Sequence, residues 1–211
     1  MEVAEQTITT NTSNIKVQKR DGRLEPLDID KIHFVVEEAC EGLTGVSSSQ
    51  IEINANIQFY DGITTKDIQH VLVKSANDLI SLENPNYQYA AARLLSYDVR
   101  KEAHGQYEYI PLLKLILRNI KLGVYDRTIV EKYHKSEIKK LNTWIKRDRD
   151  LDFTYAGLRQ VVDKYLVQDR STGELYETPQ DMYMMIAATL FANYPKTVSY
   201  THLTLPTSSR V

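Results

Sequence analysis

Residues 15–32 have the sequence IKVQKRDGRLEPLDIDKI, which predicts a β-hairpin followed at once by a helix. Two short alternating segments flank Asp21-Gly22, and an Asp-Gly pair in this position is a strong hairpin signal because the turn requires positive φ. Pro26 has no N–H to donate, so its strand should lie at an edge of the sheet. Asp28 is a suitable N-cap for the helix that follows. This stretch therefore predicts two short strands and the first helix of a mixed fold.

Up to Gly105, the periodicity predicts four helices after the hairpin. Apolar residues recur at helical spacing behind the hairpin, behind a capping box at 64–67 and again over 87–103. The segment 47–60 supports two interpretations, because its alternating apolar residues favour a strand while its leading serines favour a capped helix. The apolar face expected for the first helix consists of Ile29, Ile32, Val35, Val36, Ala39, Cys40 and Leu43.

Beyond residue 105 the sequence predicts a mainly helical region with a second hairpin. Helix ends are indicated by a glycine, capping hydroxyls and a proline at a first helical position. The segments 165–168 and 174–177 flank a polar turn and predict the hairpin. The expected fold class is therefore mainly α with short β-hairpins. The helix-end signals are Gly123, Ser136, Thr154, Thr178 and Pro179.

The composition excludes several classes of function. The 211 residues include 26 basic and 28 acidic side chains and carry a net charge of −2, so a strongly basic nucleic-acid surface is not expected. The single cysteine, Cys40, excludes an internal disulfide and a multi-cysteine zinc site. No apolar segment is long enough to span a membrane, and the first residues lack the features of a secretory signal. We therefore expect a cytoplasmic protein with neither a nucleic-acid nor a membrane partner.

Both ends differ in character from the rest of the chain. Residues 1–14 are polar and rich in Thr, Asn and Ser, which predicts a disordered tail. The sequence VSYTHLTLPT at 198–207 resembles translated sequencing-adapter DNA, and no helical periodicity continues past Pro195. We expect 197–211 to be a non-native scar. Sequencing the source DNA through codon 196 on a longer template would test this.

Two pairs of basic residues are candidates for meeting a phosphate. Lys19-Arg20 follows the first hairpin strand, and Arg100-Lys101 lies in the last turn of a predicted helix. Arginine offers bidentate geometry and lysine a point charge. Basic residues at a helix C-terminus also complement the helix dipole, and those in turns are usually solvated, so both interpretations stay open. The sequence has neither a P-loop nor a dinucleotide-binding glycine pattern.

The other polar residues point to structure more than to chemistry. Thr64 and Thr65 are expected to cap a helix, and Cys40 is expected to be a buried, inert thiol. The histidines are scattered without metal-ligand spacing. Asp148, Asp150 and Asp152 are expected in a solvated charged loop. No group of residues predicts a catalytic site.

Two groups of motifs resemble known families. The first group resembles the start of an ATP-cone domain and consists of VQKRDG at 17–22, LDIDKI at 27–32, IQFYDGITTKDI at 57–68 and YQYAAARLL at 87–95. The second resembles the N-terminal helical region of the large subunit of class I aerobic ribonucleotide reductase and consists of RDRD at 147–150, FTYAGL at 153–158, KYLV at 164–167 and ETPQ at 177–180. Together they cover about residues 15–196 in order and without a large gap.

The resemblance implies a regulatory nucleotide site. ATP there would favour an active enzyme and dATP an inhibited oligomer, with Mg²⁺ accompanying the nucleotide. Carried over by motif, Lys19 would contact the phosphates, 25–31 would line the site, Thr65 would bind from the N-terminus of the third helix and Lys101 would close the phosphate side. The resemblance also implies that 50–59 are helical. The implied nucleotide-binding residues are Lys19, Glu25, Pro26, Leu27, Asp28, Ile29, Asp30, Lys31, Thr65 and Lys101.

The resemblance also implies the domain order and the partners. An ATP cone at 15–105 would precede a truncated helical region of the reductase large subunit at 106–196. The parent enzyme reduces ribonucleoside diphosphates with a cysteine radical and a cysteine pair, so a chain with one cysteine would bind nucleotide without catalysing. The implied partners are a radical-generating small subunit, further copies of the large subunit, and thioredoxin or glutaredoxin. This chain is expected to hold no metal.

Departures from the family pattern leave an alternative open. Gln69 and Asp98 stand where close relatives often have histidine, and the acid near Lys101 could weaken phosphate affinity or alter ATP/dATP discrimination. The alternative is a helical interaction module with a degenerate cone that binds nothing. A nucleotide-sensing transcriptional regulator would need a zinc ribbon of about four cysteines ahead of the cone, which 1–14 lack. The motifs at 147–180 argue against an anaerobic reductase.

Overall fold

The computed structural model describes residues 15–194, which form two compact units. The N-terminal unit comprises the described residues up to Leu94, and the C-terminal unit those from Leu95. The division falls within a helix, whereas the boundary expected from sequence lies at 105; the expected domain limits stay a prediction. The expected tail and the expected scar lie outside the described residues. No helix among the described residues is long and apolar enough to cross a membrane.

The N-terminal unit begins with a small sheet of three strands. These are β1 (Lys16–Gln18), β2 (Leu24–Pro26) and β3 (Ile63–Thr64), in the order β2-β1-β3. β2 is antiparallel to β1, so the hairpin is confirmed, and Pro26 lies on an edge strand as expected. Gly22 provides the positive φ of +85° that the turn requires. β3 was not predicted; it pairs parallel to β1 through two residues only.

Four helices follow the hairpin, as predicted. They are α1 (Ile29–Cys40), α2 (Ser48–Asn56), α3 (Thr65–Asp78) and α4 (Tyr87–His104). The implied helix at 50–59 is correct as far as residue 56 and wrong for 57–59, which lie in a turn. The alternating apolar residues of this segment favoured a strand, but they do not share one face. Ile51 and Ala55 are fully buried on one helix face, whereas Ile53 and Ile57 are exposed.

The core of the N-terminal unit joins the sheet to the helices. Apolar side chains from α1 and α3 pack with one residue from each of two neighbouring strands. Ile29 departs from the expected apolar face, since it is 43% exposed. Cys40 is half-buried and not fully buried, and burial raises the pKa of its thiol to about 11, which keeps it protonated at neutral pH. The buried core includes Val17, Ile63, Ile32, Val36, Ala39, Leu72 and Ala76.

The C-terminal unit is built mainly of helices. They are α5 (Leu112–Lys121), α6 (Thr128–Lys132), α7 (Lys135–Trp144), a 3-10 helix (Arg147–Asp152), α8 (Tyr155–Lys164) and α9 (Pro179–Phe191). The starts expected at Thr154 and Thr178 are confirmed. The core of this unit consists of Ile110, Leu112, Leu115, Ile116, Ile129, Tyr133, Ile138, Leu141, Ile145, Met184 and Ala188.

One expectation for local structure in this unit is wrong, and another is confirmed only in shortened form. α7 is capped by His134 and not by Ser136: the His134 backbone N–H donates to the carboxylate of Glu137 over 2.7 Å. The second hairpin is reduced to a single bridge between Gln168 and Leu175. The backbone N–H of Tyr176 donates to the Val167 carbonyl over 3.1 Å and that of Asp169 donates to the Glu174 carbonyl over 2.9 Å, so a short hairpin is present. The N–H of Leu175 donates instead to a carboxylate oxygen of Glu102 over 3.3 Å.

The acidic segment 148–152 is not the solvated loop that its charges predicted. It forms most of the 3-10 helix, and Asp150 is only 1% exposed. Its burial brings Asp150 beside Gln180 and Asp181 of α9, which are far away in the sequence, as well as beside Arg147 of its own 3-10 helix. No local pattern could have distinguished this aspartate from its exposed neighbour Asp148.

Candidate functional site

Lys19 lies at the end of β1, on the face of the sheet that the helices cover. Lys19 directly follows β1, two residues after the buried Val17, and is half-buried, whereas Arg20 lies in the turn and is exposed. The Lys19 side chain is accordingly 31% exposed. The sequence alone could not distinguish Lys19 from Arg20. The structure distinguishes them by burial, because Lys19 is half-buried and Arg20 is exposed.

The parallel pairing of β1 and β3 brings Lys19 close to Thr65. Val17 pairs with Ile63 and Gln18 with Thr64, so the next residues of the two strands, Lys19 and Thr65, leave the sheet side by side. Neighbouring strands are about 4.8 Å apart. Two residues 46 positions apart in the sequence therefore leave neighbouring strands at the same end of the sheet.

Thr65 is also the first residue of α3. Thr64 caps this helix: its hydroxyl accepts from the backbone N–H of Asp67 over 3.0 Å and donates to the Asp67 carboxylate over 2.7 Å. The start of a helix presents backbone N–H groups and the positive end of the dipole, which together favour anions. Lys19 therefore adds a cation beside a helix terminus that already attracts negative charge.

An ion-pair chain runs across the hairpin. Lys19 Nζ lies 3.3 Å from Glu25 Oε2, and the other oxygen of Glu25 lies 3.3 Å from Arg23 Nη1. Arg23 also pairs with Asp21 over 2.7 Å. Glu25 is thus an internal counter-ion that holds Lys19 near β2, and a bound anion would compete with it.

The beginning of α1 continues the charged surface. Asp28 caps the helix by accepting from the N–H of Lys31 over 3.1 Å, and the Lys31 ammonium lies 2.8 Å from the same carboxylate. These hydrogen bonds from Lys31, with a smaller effect of the Lys19 charge, hold the pKa of Asp28 below its ordinary value. The same pair raises the pKa of Lys31. Asp28 is therefore ionised at neutral pH and its charge is matched locally.

Nine of the ten nucleotide-binding residues implied by the sequence lie in the N-terminal unit, on the hairpin, the start of α1 and the start of α3. Lys19, Glu25, Leu27 and Thr65 are half-buried; Pro26, Asp28, Ile29, Asp30 and Lys31 are exposed. Lys101 lies in the last turn of α4, in the C-terminal unit, so the geometry above is that of the other nine. Their roles stay predictions.

Two positions depart from the family pattern. Gln69 donates to the Leu94 carbonyl over 2.8 Å, and Asp98 is buried.

Sequence reasoning missed a second group of polar residues, which is buried in the C-terminal unit. Asp181 of α9 is fully buried; its Oδ1 lies 2.7 Å from Arg147 Nη1 and its Oδ2 lies 3.2 Å from His104 Nε2. Thr178 donates to the same carboxylate over 2.7 Å. Burial opposes ionisation of Asp181, but the hydrogen bond from His104 and the charge of Arg147 hold its pKa below the ordinary value. Asp181 at the third position of α9 was the only local signal, as a capping-box acid.

Two other carboxyls in this unit have the opposite shift. Burial raises the pKa of Asp150 to about 7, and the negative charge of Asp181 adds to this against the opposing effects of Gln180 and two arginines. Burial likewise raises the pKa of Glu177 to about 7, although the Tyr125 hydroxyl and the backbone N–H of Val167 donate to it. Within 15–194 no group of His, Cys, Asp and Glu side chains is arranged to hold a metal ion.

We expect the free energy of unfolding of the C-terminal unit to fall between about pH 5 and about pH 8. A carboxyl with a raised folded pKa stabilises the fold fully below its unfolded value of 3.8, and this stabilisation is lost as the pH rises through about 7. Each such group contributes a slope of up to about 1.4 kcal/mol per pH unit. The lowered pKa of Asp181 changes the free energy of unfolding only at more acidic pH.

Urea unfolding followed by the fluorescence of Trp144, the single tryptophan, measures this unit directly. Asp150→Asn should reduce the pH slope because an amide does not titrate. Asp148→Asn, which changes an exposed carboxylate of the same 3-10 helix, should leave the slope as it is. A slope in Asp150→Asn equal to that of the unchanged chain would exclude Asp150 as a source, since Glu177 alone should leave only part of it.

Comparison with known proteins supports both parts of the resemblance. The family model described as ATP cone domain matches residues 15–102, and the one described as ribonucleotide reductase, all-alpha domain matches residues 151–203. The second match runs past residue 196, into the segment expected to be a scar.

Relatives from several sources share this region. The chain is 48% identical over 87% of its length to ribonucleoside-diphosphate reductase 1 subunit alpha of Escherichia coli K12. It is 42% identical over 86% of its length to the alpha subunit of enterobacteria phage T4, and 38% identical over 85% to that of Helicobacter pylori. These matches cover 24%, 24% and 22% of the three relatives. The chain therefore spans about a quarter of the length of the curated relatives it matches.

Proposed function

Because the chain carries an ATP-cone domain followed by part of a ribonucleotide reductase all-alpha domain, we propose that it is the nucleotide-sensing N-terminal part of a ribonucleoside-diphosphate reductase alpha subunit. In this role it binds ATP or dATP as an allosteric effector and passes the bound state on to the rest of the enzyme. The observation that carries the proposal is the placement of Lys19 beside Thr65, where a cation meets the N-terminus of a 14-residue helix.

The phosphates of the nucleotide bind at this edge of the sheet. Backbone N–H groups at the start of α3 and the Lys19 ammonium offset the negative charge. Mg²⁺ travels with the phosphates and is held mainly by them. Binding moves Lys19 from Glu25 to the phosphate, so that Glu25 keeps only Arg23 as its partner.

The base and sugar bind along the second hairpin strand and the start of α1. Leu27 and the exposed Ile29 offer apolar surface to the base, which explains why an isoleucine at the start of a helix is left 43% exposed. Pro26 keeps the edge strand rigid. Glu25, Asp28, Asp30 and Lys31 supply the polar groups that orient the ligand and distinguish one nucleotide from another.

Catalysis belongs to a longer parent protein. The reduction of ribonucleoside diphosphates to deoxyribonucleoside diphosphates needs a cysteine radical and a cysteine pair, and this chain has one cysteine, whose thiol is half-buried and protonated. The parent works with a radical-generating small subunit, with further copies of itself and with thioredoxin or glutaredoxin, in the cytoplasm. The present chain binds effector and does not catalyse.

Isothermal titration calorimetry on the 211-residue chain tests this proposal. Titration with ATP and with dATP in the presence of Mg²⁺ should give saturable heats with about one site per chain. CTP serves as the control for base specificity and should bind more weakly than ATP or dATP. Absence of heat with both adenine nucleotides, in a chain whose circular dichroism shows the expected helices, would favour the degenerate, non-binding cone.

A further inference from the structure

The C-terminal unit carries a groove between α5 and α7 that the proposed function does not use. It has a volume of about 650 Å³ and is lined by residues of α5 and α7 together with Pro111. We call it the α5–α7 groove. Its apolar floor is formed by Leu113 and Leu117, and its rim by Lys114, Arg118, Lys121 and Lys139.

Helix geometry explains the order of these residues. Leu113 and Leu117 are four residues apart and form one stripe along α5. Lys114, Arg118 and Lys121 follow at spacings of four and three and form a parallel stripe beside it. Lys139 of α7 stands on the other side. The two leucines lie about 6 Å apart along the helix axis, and cations of both helices line the groove beside them.

The cations of this surface outnumber its anions. α5 and α7 carry three basic side chains each, while the one carboxylate on the two helices, Glu137, is engaged at the α7 cap. Arg118 is held in place because its Nη2 donates to the Tyr176 carbonyl over 3.1 Å. The chain as a whole has a net charge of −2, so this is a local concentration of positive charge.

The floor of the groove is open to solvent. Leu117 is 47% exposed, although the same helix buries Leu115 and Ile116 completely or nearly so. Leu122, just after the helix, is 58% exposed. Leu117 therefore leaves apolar surface in contact with solvent beside a row of like charges, whereas Leu113 is partly buried against the core.

We propose that the α5–α7 groove docks a short acidic amphipathic helix belonging to a separate protein. Leucine-type side chains of that helix cover Leu113 and Leu117, and its carboxylates meet the lysines on both rims. The strongly charged rim around a small apolar floor favours a separate, exchangeable partner over the chain's own continuation, since permanent interfaces are larger and more hydrophobic.

Two other classes of partner fit less well. A single-stranded nucleic acid is bound by aromatic side chains on which its bases stack, and the groove is lined by none. A membrane-surface helix needs a wide apolar face, whereas α5 directs most of its apolar residues into the core and leaves one narrow stripe. The charge pattern is therefore best matched by carboxylates placed on either side of an apolar strip.

The test is fluorescence anisotropy with a labelled synthetic helical peptide that carries leucines four residues apart with glutamates on both flanks. We expect saturable binding to the 211-residue chain at physiological salt. The double variant Lys114→Glu/Lys121→Glu should weaken binding about tenfold or more, because two attractions become repulsions. Leu117→Ser should weaken it several-fold by removing apolar contact. Lys164→Glu, which makes the same charge change on α8, should leave the affinity unchanged.

Several outcomes would overturn the proposal. The first is a lack of saturable peptide binding in a chain whose Trp144 fluorescence shows a folded C-terminal unit. The second is a loss of peptide affinity in Lys164→Glu equal to that in the double variant. The third is tighter binding of oligothymidylate or of anionic phosphatidylglycerol vesicles than of the peptide. A dimer in light scattering that Leu117→Ser dissolves would assign the groove to a second copy. Failure of nucleotide binding in calorimetry would leave this result untouched, because the groove lies outside the proposed nucleotide site.

Discussion

Lys19→Ala in the 211-residue chain is expected to weaken the binding of ATP and dATP by about ten- to a hundredfold. A hydrogen bond to a charged group contributes about 1.5–3 kcal/mol, and each 1.4 kcal/mol corresponds to a tenfold change in affinity. Lys19 is the basic residue that β1 turns towards the covered face and sets beside the start of α3. Calorimetry with both nucleotides measures the change.

A matched control separates this effect from a general loss of charge. Lys74→Ala removes an exposed lysine of the same unit, whose only recorded ion pair is with Asp78 near the end of α3. It should leave both affinities within about twofold of those of the unchanged chain. Equal affinities in Lys19→Ala and in Lys74→Ala would show that the nucleotide does not bind where we place it.

Asp181→Ala is expected to destabilise the C-terminal unit by about 3–5 kcal/mol. The change leaves Arg147 without its buried carboxylate and removes the acceptor of His104 and of Thr178, which starts α9. The loss is large because the remaining buried charge must be desolvated without compensation. Urea unfolding monitored by Trp144 fluorescence gives the difference in unfolding free energy.

Two further variants check the cause of this loss. Asp181→Asn keeps the side-chain shape and one acceptor oxygen. Its free energy of unfolding should therefore lie between that of Asp181→Ala and that of the unchanged chain. Asp163→Ala breaks an exposed pair with Arg159 in the same unit, which should cost less than about 0.5 kcal/mol. A loss in Asp181→Ala no larger than in Asp163→Ala would mean that the buried pairs add little to stability.

The local elements of the fold could mostly be predicted, since each depends on residues close in sequence. Asp21-Gly22 fixes a turn, Asp28 supplies a cap, and the apolar spacing over 65–78 produces a helix. The errors arose where the partner was remote. Asp150 looked solvated because its burial depends on α9, and the second hairpin is short because side chains of Glu102 and Glu177 accept from the N–H groups of Leu175 and Val167.

The candidate nucleotide site divides in the same way. Its residues were predicted from the motif resemblance alone, because sequence spacing could not show whether Lys19 or Arg20 would contact a phosphate. Lys19 is half-buried directly after β1 whereas Arg20 is exposed in the turn, and the parallel pairing of β1 with β3, which no local signal predicted, brings Lys19 and Thr65 to the same end of the sheet. Two residues of β3 are too short a segment to show a periodicity.

The sequence by itself determined the class of the protein: a mainly helical chain with one cysteine, a small net charge and the motifs of an ATP cone followed by those of a reductase helical region. Turn chemistry, caps and helical spacing are local, so they can be read from neighbouring residues. The tertiary structure alone decided which charges are buried and which are brought together. Asp181, Arg147 and His104 meet inside the C-terminal unit, and the cations of α5 and α7 border one groove. Burial and proximity depend on the packing of distant segments, and the low dielectric of the interior then changes what those charges do.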